Sequence, residues 1–374
     1  MNPKKKPIAR RQFLRSSVAV ATGVSLGIPL MANEDRSPAP GRKKRGIKLG
    51  FDNFSIRAFG WKAPRLIDYA AELGLDTILL SDLGVYESQD DAYLAEIRAR
   101  ARDLGIEVQV GTGSICPSSK RYDSKLGSAE DHLKLTLRIA KSLGSDVARC
   151  YLGGRDDRRS EGGIEARIRD TVRVCKNVRS FALDAGVKIA IENHAGDLQS
   201  HELAALIEEA GPDYVGSTTD SGNATWALED PVRNLEVLGP YTVCSGIRDS
   251  HVWMTDRGAT VQWAALGDGV VNLEAYFDTF EKLCPKAPVQ IETISGFNVE
   301  FPYLERDFWS AYPKARASDL ASFVALARRG KPQPTFKPRE DEEHEKAVQR
   351  YQKEDVERSV KYCKEVLGLG IRQS

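Results

Sequence analysis

One local unit recurs along this chain and limits what it can fold into. Leu73-Gly74, Leu104-Gly105, Leu143-Gly144, Ala185-Gly186 and Ala210-Gly211 each close a segment of helical periodicity and lead into a short apolar run. Glycine just past a helix reaches positive φ without steric cost, so it is a natural helix stop. The segments upstream carry the matching pattern: Leu66, Ile67, Ala70, Ala71 and Leu73 share one face, and Pro64 suits the first turn. The runs that follow, such as Thr77–Leu80 and Val187–Ile191, are almost wholly apolar. Strands of a parallel sheet, buried on both faces, have that composition.

Eight such strands start near Ile47, Thr77, Ile106, Asp146, Val187, Tyr214, Thr242 and Ala287. Successive starts are 27 to 45 residues apart, room for one helix each. Eight alternating units over about 330 residues predict an α/β protein, a (β/α)8 TIM barrel. A doubly wound open sheet is the rival. No G-x-G-x-x-G follows the first strand, which ends Gly50-Phe51-Asp52-Asn53-Phe54-Ser55, so a dinucleotide fold has nothing specific behind it. The barrel is expected over 46–371, with an insertion at 297–345 after the eighth strand and a last helix over about Lys346–Leu367.

The N-terminus is of another kind. Residues 1–32 hold six Lys/Arg and no acid, and an apolar run from Val18 to Leu30 follows the basic stretch. A positive region before a short apolar one is a secretory signal pattern, and the run is too short and too rich in Gly and Pro to span a membrane. Arg10-Arg11-Gln12-Phe13-Leu14 resembles the twin-arginine export motif, an address read by a receptor. That resemblance implies a signal peptide over 1–32, a linker over 33–45, export of folded protein through the twin-arginine translocase, and a bacterial periplasm or cell-envelope location. It also implies a cofactor loaded before export. The remaining chain has 48 basic against 53 acidic residues, which argues against nucleic acid as a partner. The six cysteines show no metal-ligand spacing, and Cys150 and Cys244 read as packed thiols.

In a barrel the chemistry gathers where strands finish. Strand 5 ends Ile191-Glu192-Asn193-His194; strand 6 runs into Asp220-Ser221-Gly222-Asn223; strand 7 into Arg248-Asp249-Ser250-His251; strand 8 into Glu292-Thr293. Each residue alone has a plain structural reading, as a surface ion-pair member or a hydrogen-bonded histidine. Carboxylates at three of these ends and a histidine on the fourth point jointly to one divalent cation, since close buried acids repel unless protonated or shared. An O/N donor set without thiolate suits Mn, Mg, Zn or Co.

Ile191-Glu192-Asn193-His194, Asp220 to Asn223 with Glu229-Asp230-Pro231, Leu266-Gly267-Asp268-Gly269 and Ile291-Glu292-Thr293 resemble the xylose isomerase-like TIM-barrel family over roughly Ile47–Gly296. The resemblance implies one metal ion held by Glu192, Asp220, a histidine and Glu292, with Glu192 and Glu292 flanking the substrate carbon as acid and base. Many members end strand 7 with His-x-Lys/Arg-Asp, and here Gly246 stands in the histidine's place. His251 is taken as the replacement ligand; fewer ligands, or no metal at all, are the alternatives. His194, Asn223 and Arg248 are candidates for binding substrate hydroxyls or an acid group. Trp226 and Trp253 are candidate sugar-stacking rings.

The expected activity is metal-dependent isomerisation or epimerisation of a sugar or keto-sugar through an enediolate. A lyase or dehydratase on a keto-sugar, keto-glycoside or inosose uses the same enolate, and a non-catalytic carbohydrate-binding barrel is the reading from another class. The partner is thus a small carbohydrate, and the oligomeric state, homo-oligomer included, stays open.

Overall fold

The computed structural model describes residues 44–372, so the expected signal peptide and nearly all of the linker lie outside the described residues. Eight parallel strands form the main sheet. They are β1 (Leu49–Asp52), β2 (Thr77–Leu80), β3 (Glu107–Ser114), β4 (Val147–Tyr151), β5 (Lys188–Glu192), β6 (Val215–Asp220), β7 (Thr242–Gly246) and β10 (Val289–Ile291), in the order β10-β1-β2-β3-β4-β5-β6-β7. Ile247 bridges to Ile291, with Ile247 N donating to Gln290 O (2.8 Å) and Glu292 N donating to Ile247 O (2.9 Å). That bridge joins the first and last strands of the order and closes the barrel.

Each strand begins within two residues of its expected start. The signal that placed them is visible in the backbone: Gly74, Gly105, Gly144, Gly186 and Gly211 all take positive φ. At Gly144 the amide also donates to Lys141 O, tying off the helix Ala129–Leu143 before β4 begins. The interior is not wholly apolar. Gln290 donates to Gln109 Oε1 (3.0 Å) and Thr77 Oγ1 (3.1 Å) across the barrel, below the polar mouth. All six cysteines are free and buried.

One element was not expected. After β7 the chain forms an antiparallel hairpin of β8 (Asp249–Thr255) and β9 (Gly258–Ala264), and β11 (Val299–Phe301) adds to β9 to make a three-stranded sheet. The aromatic segment after β10 packs here: Phe301, Tyr303, Phe308 and Tyr312 are buried with Val252, Val261, Trp263 and the helix Ala317–Ala327. The last helix, His344–Glu365, starts two residues earlier than expected and is tied to the β1 loop, with Gln352 Oε1 accepting from Ala58 N and Gln349 Nε2 donating to Ala58 O. No helix among the described residues is long and apolar enough to cross a membrane.

Asp249 anchors the hairpin to the barrel. Its carboxylate accepts from the amides of Ser250, Gly267, Gly269 and Val271 at 2.8 to 3.2 Å, so the Leu266–Gly269 motif is a loop wrapped around one buried acid. A side chain at Gly269 would collide with that carboxylate. Replacing Asp249 with Ala strands these donors, and by the usual penalty for unsatisfied buried amides Asp249→Ala is expected to lower stability by about 3 kcal/mol. Urea unfolding of the two proteins measures it; an unchanged midpoint would contradict the anchor.

Candidate active site

The strand ends at the barrel mouth hold four buried carboxylates: Asp52 on β1, Glu192 on β5, Asp220 on β6 and Glu292 just past β10. Two buried arginines lie among them. Arg149 of β4 donates through Nε to Glu192 Oε2 (2.5 Å) and through Nη1 to Thr112 O (3.0 Å). Arg248, between β7 and β8, donates through the one Nη2 to Asp220 Oδ2 and to Glu292 Oε2 (2.6 Å). Asn223 completes the frame: its Nδ2 donates to Glu192 Oε1 (2.9 Å), and its amide donates to Asp220 Oδ1 (2.6 Å).

Burial sets the protonation of this cluster, and the arginines correct it. Burial, then the neighbouring Glu292, push Asp52 up to about 7 even though Ser81 Oγ donates to it at 2.5 Å. Asp220 is likewise raised to about 7 by burial, against the pull of Arg248. Burial would also raise Glu292, but Arg248 and Arg149 outweigh it and hold this carboxylate below its usual range. Glu292 is thus the acid kept ionised at neutral pH.

A cavity of about 670 Å³ opens onto the cluster, lined among others by Ser81, Arg121, His132, Arg149, Tyr151, His194 and Glu292. His194 stacks on Tyr151 with ring centroids 3.8 Å apart, and its Nδ1 lies 2.6 Å from Gly153 O. A carbonyl only accepts, so Nδ1 carries the proton and Nε2 is left as an acceptor. Burial, then Arg149, lower the His194 pKa to about 3. His132 Nε2 pairs with Thr112 Oγ1 at 2.7 Å, and burial lowers its pKa too. Arg121 is exposed at the rim and forms no ion pair among the described residues.

The structure brings together Glu192, Asp220, Glu292, Asn223, Arg248 and His194. It does not bring His251 to them. The chain does not loop over the mouth after Asp249 but continues as extended β8, where His251 pairs in register with Gln262, and its pKa is lowered by burial against the opposing charge of Asp268. Trp226 stacks on Trp263 (4.0 Å) and Trp253 is buried, and neither lines the cavity. Sequence reasoning missed Asp52, Ser81, Arg121, His132, Arg149 and Tyr151. Arg149 had a signal, a lone charge inside the apolar run Val147-Ala-Arg-Cys-Tyr151, and Asp52 ends the first strand as Glu192 ends the fifth.

Glu192, Asp220 and Glu292 offer ligand atoms within 4.8 Å of one another, close enough for one cation to touch all three. In the packing observed, however, both facing oxygens of Asp220 and Glu192 and Oε2 of Glu292 already accept from protein N–H groups. Arg248 thus occupies the oxygens that Asp220 and Glu292 would offer such a cation. A second group, His201, Glu229 and Asp319, lies away from the mouth, and Glu229 there accepts from Ser200 and Asn234.

Residues 67–302 match the family model for the xylose isomerase-like TIM barrel. The chain is 22% identical over 240 residues to the 3-oxo-isoapionate decarboxylase of Pectobacterium atrosepticum, covering 60% of this chain and 78% of that protein. Among solved structures, D-psicose 3-epimerase in the presence of D-fructose superposes with a TM-score of 0.57 at 16% identity, over 86% of this chain and 100% of the other. The IOLI protein with a binding zinc atom gives a TM-score of 0.52 at 15% identity, over 75% and 96%. At such identities the likeness to both structures establishes a shared fold.

Because the folded His194 pKa of about 3 lies below the ordinary 6.5, the native state resists protonation there. Acid then favours the unfolded chain, and this contribution removes stability as pH falls from about 6.5 toward 3. The imidazole of His194 is expected to show no titration between pH 5 and 8 by NMR. A midpoint near 6.5 would show that its burial is not as drawn.

Proposed function

The chain belongs to the xylose isomerase-like TIM-barrel family, and from that premise we propose that it is an enzyme that enolises a keto-sugar or keto-sugar acid, with Glu292 moving the proton. The observation that carries this is the position of Glu292. It is the member of the carboxylate triad that lines the cavity, and two guanidiniums keep it ionised. A base must be both reachable and unprotonated, and Glu292 meets both conditions.

The chemistry follows from the residues around the cavity. Glu292 takes the proton from the carbon beside the carbonyl, and the electron pair moves into a C=C bond as the carbonyl oxygen becomes negative. Arg149, on the same wall, offers N–H groups to that oxygen. His194 Nε2 accepts from a substrate hydroxyl, and the Tyr151–His194 stack fixes its ring. Glu192 does not line the cavity and is saturated by Arg149 and Asn223. It positions Arg149 and Asn223 in this reading and does not serve as the opposing base.

Of the triad only Glu292 lines the cavity, which favours outcomes that use one face of the substrate. These are isomerisation, in which Glu292 returns the proton to the neighbouring carbon, and loss of a leaving group from the enolate. Inversion at a single carbon needs proton delivery from both sides, so epimerisation is the outcome this geometry supports least. The lyase outcome has two further supports: Arg121, without an ion-pair partner among the described residues, suits a substrate acid group, and one relative is named a 3-oxo-isoapionate decarboxylase. The basic N-terminal segment supports an envelope location reached through the twin-arginine translocase.

Incubating ketoses, keto-glycosides, inososes and oxo sugar acids with the protein in D2O tests the reading. Deuterium is expected to enter one substrate class, and Glu292→Gln is expected to slow the exchange by about 10²–10⁴-fold. No exchange with any class, or equal rates in the variant, would sink it. Arg121→Gln separates the two substrate classes: KM should rise about tenfold for acidic substrates and stay unchanged for neutral ones.

A further inference from the structure

Two of the three converging carboxylates at the mouth are already bridged by a positive charge, and that charge belongs to the protein. We propose that this barrel works without a resident divalent cation: Arg248 stands where a cation would join Asp220 to Glu292, and Arg149 presents positive charge to the substrate. The part assigned to Arg149 rests on the enolising reading above, whereas the part assigned to Arg248 stands on packing alone.

Arg248 is built into its position. It is among the largest fully buried side chains, 1% exposed, and Nη2 makes its side-chain hydrogen bonds while Nε and Nη1 are buried without a partner. Its stem passes over Gly222, where any side chain would collide with its Cγ and Cδ. Its guanidinium carbon lies 4.4 Å from the centroid of the Trp263 ring, and Trp263 Nε1 donates to Gly222 O at 2.9 Å. A cation over an indole face is attracted to it, most of all when both are desolvated. Ser221 Oγ donates to Arg248 O, and Arg248 N donates to Ser221 Oγ, so the backbone is clamped as well.

Gly246 completes the arrangement. A Cβ at this position would lie 2.6 Å from Asp220 Oδ2 and 2.9 Å from Glu292 Oε2, the two oxygens that share Arg248. A histidine at 246 would have to displace them. Gly222 and Gly246 are therefore the two openings that let an arginine from the end of β7 reach between the carboxylates. A divalent ion sharing those oxygens with the guanidinium would meet its charge at contact distance in a dry site, where repulsion is strong.

The two tasks of a bound ion are then divided. Arg248 holds Asp220 and Glu292 together through one nitrogen, which makes it a positioning residue. Arg149 reaches the cavity, and each of its terminal nitrogens keeps a second N–H beyond those engaged by Thr112 and Glu192. No redox step enters: the C–H electron pair goes to the enolate and the proton to Glu292.

The test needs no substrate. Full-length protein purified without chelator or added metal is assayed for bound ions by plasma mass spectrometry, and for Mn²⁺ binding by equilibrium dialysis, beside Arg248→Ala. The wild type is expected to carry no stoichiometric divalent ion and to bind Mn²⁺ no more tightly than about 1 mM. Arg248→Ala, which frees Asp220 and Glu292, is expected to bind Mn²⁺ at least about tenfold more tightly. A stoichiometric ion in the wild type, or equal affinity in the two proteins, overturns the proposal. Should Arg248→Ala fail to fold, the wild-type metal content decides alone. If a substrate emerges from the exchange panel, its exchange is expected to survive EDTA. A silent panel would end the enolising reading and leave the metal result standing.

Discussion

Burying four carboxylates together at one end of a barrel is the constraint on which the rest of this structure turns. Asp52, Glu192, Asp220 and Glu292 are each no more than 5% exposed, and unpaired charges at such depth are not tolerated. Two guanidiniums balance two of the four. Burial pushes three of the four toward protonation, raising Glu192 well above its usual range and lifting Asp52 and Asp220 to about 7, while Glu292 is held low. The acids that burial raises are thus the ones that do not line the cavity, and Glu292, which does, stays ionised. Removing either arginine would leave buried charge uncompensated, which is more costly than the net worth of the pair.

The barrel alone does not place both arginines. Arg149 comes directly from β4, two residues before Tyr151 ends the strand, and reaches Glu192 on the neighbouring β5. Arg248 depends on the hairpin. Asp249 turns the chain from β7 into β8, β9 carries Trp263 back against the guanidinium, and β11 fixes β9 from its other side. The aromatic cluster behind this sheet therefore serves the site. Phe301, Tyr303, Phe308 and Tyr312 bury a support for Trp263, and the segment that carries them is part of the mouth's construction rather than an appendage.

Five of the eight barrel strands, β2 to β6, were legible because two local signals coincide there: a glycine that stops the preceding helix and a short buried run after it. The hairpin had neither. Asp249-Ser-His-Val-Trp-Met-Thr255 mixes polar and apolar side chains, and what makes it a strand is pairing with β9 and, through β9, with β11 across about forty residues of sequence. Missing it misplaced His251, because five residues of extended chain from Gly246 span about 16 Å. The ends of β5, β6 and β10 were legible as paired acids, whereas Asp52 on β1, Arg149 on β4 and Ser81 just past β2 are single polar residues. Only the closure of the sheet shows that these three strands bring them to the same mouth.

Glycine at 246 had been read as a loss, a missing ligand to be replaced from nearby. In the folded chain it is one of five positions arranged around Arg248. Gly222 clears the stem of Arg248, Gly246 clears its head, Trp263 faces its charge, and Asp220 with Glu292 accept from it. No single residue in this set would announce the change, because each is ordinary by itself and their meeting depends on the unexpected hairpin. Their agreement is a property of the packing and not of any one residue: one buried guanidinium is enclosed by two glycines and a tryptophan and joins two acids, so each position makes sense only with the others in place.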